Sequence, residues 1–328
     1  MMKQAADDTS TPVIVKPESE PTVITPQQLA TVEAKVEAIA ANGTNGHVEP
    51  LCSHGGNGIH LSDYGLSYAD ELIKLFTVRA PALSLGETGD GKSVIMRHVC
   101  AEVVKRGLLP EYKHIAFNFS VGTNVDILIG QTVLVNNDNG TGQKVVFIPG
   151  MLTLAIEYGH AFLGEEMTRA NQELLSRFYG ILDTRKQDRY WAVPEGIIRY
   201  LDGQVPVHPN HWFVGTANPE GGGYLTQRFD PAFRSRWFAI MRVKGLLADE
   251  RKIAEDKFPN DARMVGRIMR FVETVRGNEK TRMSTREVYQ LCELISIGFD
   301  PVRAVEVSIA EKFRELGEGV VVAARAHF

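Results

Sequence analysis

Pro81-Ala82-Leu83-Ser84-Leu85-Gly86-Glu87-Thr88-Gly89-Asp90-Gly91-Lys92-Ser93 is the stretch on which the fold turns. A short apolar run enters a glycine-punctuated loop, and the helical pattern Val94 to Lys105 follows. G-x-x-x-x-G-K-S between a strand and a helix reads as a phosphate-binding loop. Gly86, Gly89 and Gly91 let the backbone around Glu87, Thr88 and Asp90 curl, so that successive N–H groups converge on phosphate oxygens. The helix beyond presents its positive end to the same anion. Lys92 then reaches the β and γ phosphates of a nucleoside triphosphate, and Ser93 supplies a hydroxyl ligand to the Mg²⁺ that bridges them.

Outward from this loop, short apolar runs alternate with helical patterns, which predicts a parallel sheet with crossover helices. Strands are expected near 81–85, 114–119, 160–165, 211–217 and 237–243, enough for one doubly wound five-stranded sheet in a three-layer α/β/α arrangement. After Lys244 only helical patterns remain, at about 247–258, 262–276, 285–298 and 302–316. The third opens on Ser284-Thr285-Arg286-Glu287, a capping box. The expected organisation is a flexible leader over 1–60, an α/β nucleotide-binding core over 61–244 and a small all-helical lid over 245–328. Within the leader, Thr25-Pro26 opens a short amphipathic helix at about 26–41, with Leu29, Val32, Val36 and Ile39 on one face.

Two further strand ends carry polar groups. Ala161-Phe162-Leu163-Gly164 leads to Glu165 and Glu166. Glu165 is placed to hold the metal, and Glu166 to orient and deprotonate an attacking water. An acidic pair at a strand end also fits simple capping of the next helix. Phe213 to Ala217 leads to Asn218, whose amide could hold that water or the γ phosphate. Arg234 and Arg236, just before the fifth strand, offer guanidinium groups suited to charge that grows on a transferring phosphoryl group.

Composition limits the remaining classes. The chain has 328 residues, 44% hydrophobic and 23% charged, as in ordinary globular proteins. No apolar run approaches the roughly 20 residues that span a bilayer, and no secretory signal is evident, so a cytoplasmic protein is expected. Three cysteines imply no disulfide framework. The formal net charge of -4 argues against a protein that lives mainly on nucleic-acid phosphates. Arg185, Lys186, Arg189, Tyr190 and Trp191 interleave basic and aromatic groups, which leaves single-stranded nucleic acid as a less favoured partner.

Taken together, GETGDGKS (86–93), FLGEEMTRA (162–170), GTANP (215–219), DPAFRSRW (230–237) and MSTRE (283–287) resemble an AAA+ ATPase. More narrowly they resemble the MoxR-like group, with the CbbQ/NorQ activases and the ATPase subunit of cobaltochelatase. The resemblance spans about 62–300. It implies ATP hydrolysis with Mg²⁺, Lys92 and Ser93 as the Walker A pair, Glu166 as the Walker B base and Asn218 as sensor 1. It makes Arg236 the finger that enters a neighbour's site, with Arg234 the second choice, and Arg286 sensor 2. It also implies a homo-oligomeric, most simply hexameric, ring that remodels or activates a client protein, often beside a von Willebrand A domain partner. The predicted hairpin over 130–150 resembles the insertion in the second helix that marks the MoxR-containing clade. One departure stands out: Glu165 occupies the place where the family has Asp, preceded by Gly164 in place of a bulky apolar residue. Two alternative functions follow, a slow nucleotide-gated scaffold prompted by Glu165 and a nucleic-acid-associated viral or mobile-element motor.

Overall fold

A computed structural model describes residues 60–110, 113–136, 143–182, 190–192, 204–219 and 228–328. The segment expected to be helical at about 26–41 and the side chains of Arg185 to Trp191 lie outside the described residues. The described chain opens on α1 (Asp63–Thr77), capped by the Ser62 hydroxyl, which accepts from the Gly65 N–H at 3.1 Å. Then come β1 (Ala82–Leu85), α2 (Lys92–Lys105) and β2 (His114–Asn118). A short helix α3 (Val125–Ile129) leads into β3 (Gly130–Asn136) and β4 (Gln143–Pro149), an antiparallel pair that returns to α4 (Met151–Tyr158). Thr153 donates its hydroxyl to the Ile129 carbonyl at 2.6 Å, which binds the two short helices at the hairpin's root. β5 (Ala161–Glu165) follows, then a small antiparallel pair, β6 (Tyr190–Ala192) and β7 (Gln204–Pro206), and finally β8 (Trp212–Ala217) and β9 (Ala239–Arg242).

Five of these strands form one parallel sheet in the order β2-β5-β8-β1-β9. All five fall where the apolar runs place them; β1, β5 and β8, at the centre of the sheet, are buried on both faces and read as continuous hydrophobic stretches, whereas the edge strands β2 and β9 are only partly buried. Phe162 and Phe213 point to one face, where their rings stack at 5.7 Å; Leu163, Trp212 and Val214 point to the other, against α1 and α2. The order explains where a ligand goes. From β1 the chain leaves for the far edge, works back through β5 and β8, and then passes β1 to place β9 beside it. Loops diverge at such a reversal and open a crevice at the carboxyl ends of the strands.

Gly164, which stands where a bulky residue was expected, pairs in register with Gly215 on the neighbouring strand. A Cβ at Gly215 would lie 2.5 Å from Met167 Sδ and 2.7 Å from the Trp237 ring, and one at Gly164 would lie 2.9 Å from the Phe119 ring. The missing volume is thus supplied by side chains from outside the strand.

The C-terminal helices have a hydrophobic core of their own, separate from both faces of the sheet. They are α5 (Glu250–Lys257), α6 (Ala262–Arg276), α7 (Thr285–Ser296), α8 (Pro301–Ser308) and α9 (Gly317–His327). The single helix expected at 302–316 is corrected here. Its α-helical part stops at Ser308, a 3-10 stretch covers Ala310–Leu316, and α9 continues to His327. Gly317 packs so closely on the Ala310 carbonyl that a Cβ would sit 2.5 Å from the oxygen, so the chain turns there instead of running on.

Candidate functional site

The phosphate loop occupies the crevice between β1 and α2. Gly89 (φ +86°) and Gly91 (φ +85°) adopt the left-handed conformation that lets the loop curl. Because Gly91 is the N-cap and offers no side chain, the first N–H groups of the 14-residue α2 lack a side-chain cap. Such groups at the positive end of a helix suit an anion. Lys92, 9% exposed, donates its ammonium to the Gly86 carbonyl at 2.8 Å and the Glu87 carbonyl at 2.6 Å. Burial lowers its pKa from the usual lysine value, while Asp90, Glu166 and Glu87 pull the other way. Asp90 is buried beneath the loop, accepting from the Glu87 N–H at 3.2 Å and pairing with Arg282 at 3.2 Å. Burial raises its pKa, against the pull of Arg282 and Lys92.

β5 brings the two carboxylates. Glu165 ends the strand in register with Asn118 of β2, and Glu166 follows in the left-handed region at φ 55°, ψ 38°. Away from glycine that conformation is sparsely populated and costs on the order of 1 kcal/mol, so the surroundings must hold it. The Glu166 N–H reaches the Thr216 hydroxyl at 3.4 Å. The Glu166 carboxylate accepts from Asn218 Nδ2 at 2.9 Å and from Arg169 Nε at 3.2 Å. Asn218, directly after β8, is 1% exposed, and its Oδ1 has no partner among the described residues.

A cleft of about 720 Å³ opens above these groups. It is lined by Thr88, Gly89, Gly91, Lys92 and Ser93 of the phosphate loop and α2, by Glu165, Glu166, Asn118 and Thr216 at the strand ends, and by Thr285, Arg286 and Tyr289 of α7. At its far end, residues 60–62 pair with 247–249, through the Ser62 N–H to the Leu247 carbonyl at 3.1 Å and the Asp249 N–H to the His60 carbonyl at 2.8 Å. The capping box at the start of α7 is formed, with the Glu287 carboxylate accepting the Ser284 N–H at 2.6 Å. This cap fixes the first turn that carries Arg286. Ser93 and Glu165 share the cleft and offer a hydroxyl and a carboxylate, the hard oxygen donors that suit Mg²⁺.

The structure therefore gathers Lys92, Ser93, Glu165, Glu166 and Arg286 around one space, with Asn218 bound to Glu166. Gly86, Glu87 and Asp90 shape the loop from below. Arg234 and Arg236 do not line this cleft. Arg236 donates to the Ala232 carbonyl at 2.8 Å and lays its guanidinium over the Tyr179 ring at 4.0 Å. Arg169, Thr216, Asn118 and Arg282 were not singled out in the sequence. Arg169 follows the acidic pair on a 3-10 turn, Asn118 ends a strand that points at the site, and Arg282 becomes relevant only through a contact made across the fold.

Residues 82–237 match the AAA domain of the dynein-related subfamily. An uncharacterized protein of Staphylococcus aureus strain NCTC 8325 is 28% identical over 251 residues, which are 74% of this chain and 87% of the relative. A counterpart in strain USA300 is 27% identical over the same shares. Among solved structures, NtrX of Brucella abortus in complex with ATP has a TM-score of 0.47 at 15% identity, over 84% of this chain and 59% of that one. A protein of Cytophaga hutchinsonii has a TM-score of 0.41 at 12% identity, over 88% and 84%. Among the described residues no helix is long and apolar enough to cross a membrane.

Proposed function

We propose, from the match of residues 82–237 to the AAA domain of the dynein-related subfamily, that this protein hydrolyses ATP and uses the cycle to remodel or activate a client protein. The observation that carries the proposal is the convergence of Lys92, Ser93, Glu165, Glu166 and Arg286 on one cleft beside a helix start without a side-chain cap. In the proposed reaction Lys92 leaves the Gly86 and Glu87 carbonyls for the β and γ phosphates. Glu166 takes a proton from water, the water oxygen attacks the γ phosphorus, and the bond to the β-phosphate oxygen breaks, giving ADP and phosphate. Asn218, already bonded to Glu166, keeps the base aligned with the γ phosphate. Ser93 and Glu165 would hold Mg²⁺, directly and through bound water, and the ion would supply positive charge to offset that of the phosphates. Glu165 is longer by one methylene than the Asp of the MoxR-like group, yet it lines the cleft, and a carboxylate in that position can hold metal-bound water.

Arg286 reaches the nucleotide from α7, so hydrolysis and the placement of the C-terminal helices are linked. Arg236 does not line its own cleft and lies over Tyr179, which supports the reading that it completes the site of an adjoining protomer. A ring, most simply a hexamer, satisfies that arrangement, and the β3–β4 hairpin is suited to carry motion to the client. The reading is that of a cytoplasmic MoxR-like machine, acting with a von Willebrand A domain partner. The test is Glu166→Gln, which should retain ATP binding and abolish turnover. Unchanged phosphate release in that variant removes Glu166 as the base.

A further inference from the structure

Asp90 carries more than its place in the phosphate-loop motif requires. It is 1% exposed, and its carboxylate ties two distant parts of the chain together. On one side it accepts the Glu87 N–H at 3.2 Å and so braces the loop across its first turn. On the other it takes Arg282 Nη2 at 3.2 and 3.3 Å, from a residue 192 positions further on. Next to this pair, a Cβ on Gly89 would come within 2.6 Å of Ser284 Oγ. The segment that precedes α7 thus lies directly on the loop.

Arg282 does not line the cleft, but its position is fixed by the helical region from both sides. Before it, the Thr281 hydroxyl donates to the Val275 carbonyl at 2.6 Å. After it, the Met283 carbonyl accepts from Arg276 Nε at 2.8 Å, and the Thr285 hydroxyl donates to Glu250 at 2.8 Å. Glu250 in turn receives a two-pronged ion pair from Arg276, both contacts at 2.7 Å. Arg282 therefore moves with the helices. If they shift off the loop, Asp90 loses its direct ion pair and keeps only the more weakly acting Lys92, so the buried carboxylate is relieved by rehydration. Water that enters competes for the carboxylate oxygen that takes the Glu87 N–H and loosens the curl of the loop.

We propose that Arg282 is a positioning residue for the phosphate loop. Through Asp90 it holds residues 87–90 in their curled form, so that nucleotide affinity depends on the C-terminal helices being docked over the loop. This rests on the reading of residues 86–93 as a triphosphate cradle. The experiment is equilibrium binding of a fluorescent ATP analogue with Mg²⁺ to the full chain. The set comprises wild type, Arg282→Gln, Asp90→Asn, their double variant, Arg282→Lys and Lys92→Ala. Each single change in the pair should weaken binding about tenfold, within the usual range of coupling between sites. The double variant should be no weaker than the worse single, Arg282→Lys should recover part of the loss, and kcat at saturating ATP should stay within about twofold of wild type for Arg282→Gln.

Wild-type affinity in Arg282→Gln, with affinity lost in Lys92→Ala, overturns the inference and leaves the cradle standing. So do losses that multiply in the double variant. Wild-type affinity in Lys92→Ala instead removes the cradle itself. Because Arg282 is half-exposed, its substitution decides the matter alone should Asp90→Asn fail to fold.

Discussion

Glu166 illustrates why single residues here cannot be read in isolation. Its carboxylate follows an apolar strand and was legible as one of an acidic pair, but its left-handed backbone and its bonds to Asn218 and Arg169 come from tertiary contacts. Lys92 and Ser93 were legible because the motif is local, whereas Arg169, Thr216 and Arg282 acquire meaning only once the strands and helices are assembled. His114 makes a related point about a group with no part in the site. At the start of β2 it is 6% exposed, its Nε2 has no partner among the described residues, and burial, reinforced by Arg97, lowers its pKa to about 4. The imidazole is therefore neutral in the folded protein, while in the unfolded chain it takes a proton near pH 6.5. Its contribution to stability is complete above pH 6.5 and is lost as pH falls through about 4, at most about 3 kcal/mol from the shift. Urea unfolding across this window should show the loss, and His114→Gln should flatten it. An unchanged pH slope in the variant assigns the loss to other groups.

At the scale of elements, the central strands β1, β5 and β8 were legible because burial on both faces leaves continuous apolar runs, and α6 and α7 because their buried residues recur at helical spacing. The break after α8 was not. Val302, Val305, Ile309, Phe313 and Leu316 keep a helical period through a stretch that turns 3-10, since periodicity reports which residues face a core and not how tightly the chain winds. Gly317 permits the close approach to the Ala310 carbonyl from which α9 starts. Gly164 was legible only as a departure beside Glu165; its pairing with Gly215, and the volume that Met167, Trp237 and Phe119 take there, come from the assembled fold. Gly215→Ala should therefore cost about 1–3 kcal/mol of unfolding free energy through overpacking, read as an earlier denaturant midpoint. A midpoint equal to that of wild type shows that Met167 and Trp237 yield freely.

For the molecule as a whole, the sheet order sets the crevice, and the C-terminal helices close it from a separate core. The strand order and the contact of residues 282–286 with the loop were not read from the sequence, because both depend on pairings between distant segments. The proposal that ATP is cleaved only in an assembled ring rests on an asymmetry: the phosphate loop and Glu166 lie inside the cleft, and Arg236 lies outside it. Two defective proteins separate these halves. Lys92→Ala should lack productive ATP binding but still present Arg236, whereas Arg236→Ala should bind ATP and lack the cation. Phosphate release from each variant alone, and from their mixture, is the most direct measurement. Each should be nearly inactive alone and the mixture should regain a substantial share of wild-type turnover; full activity of Arg236→Ala by itself, or a mixture as inactive as its parts, contradicts the shared site.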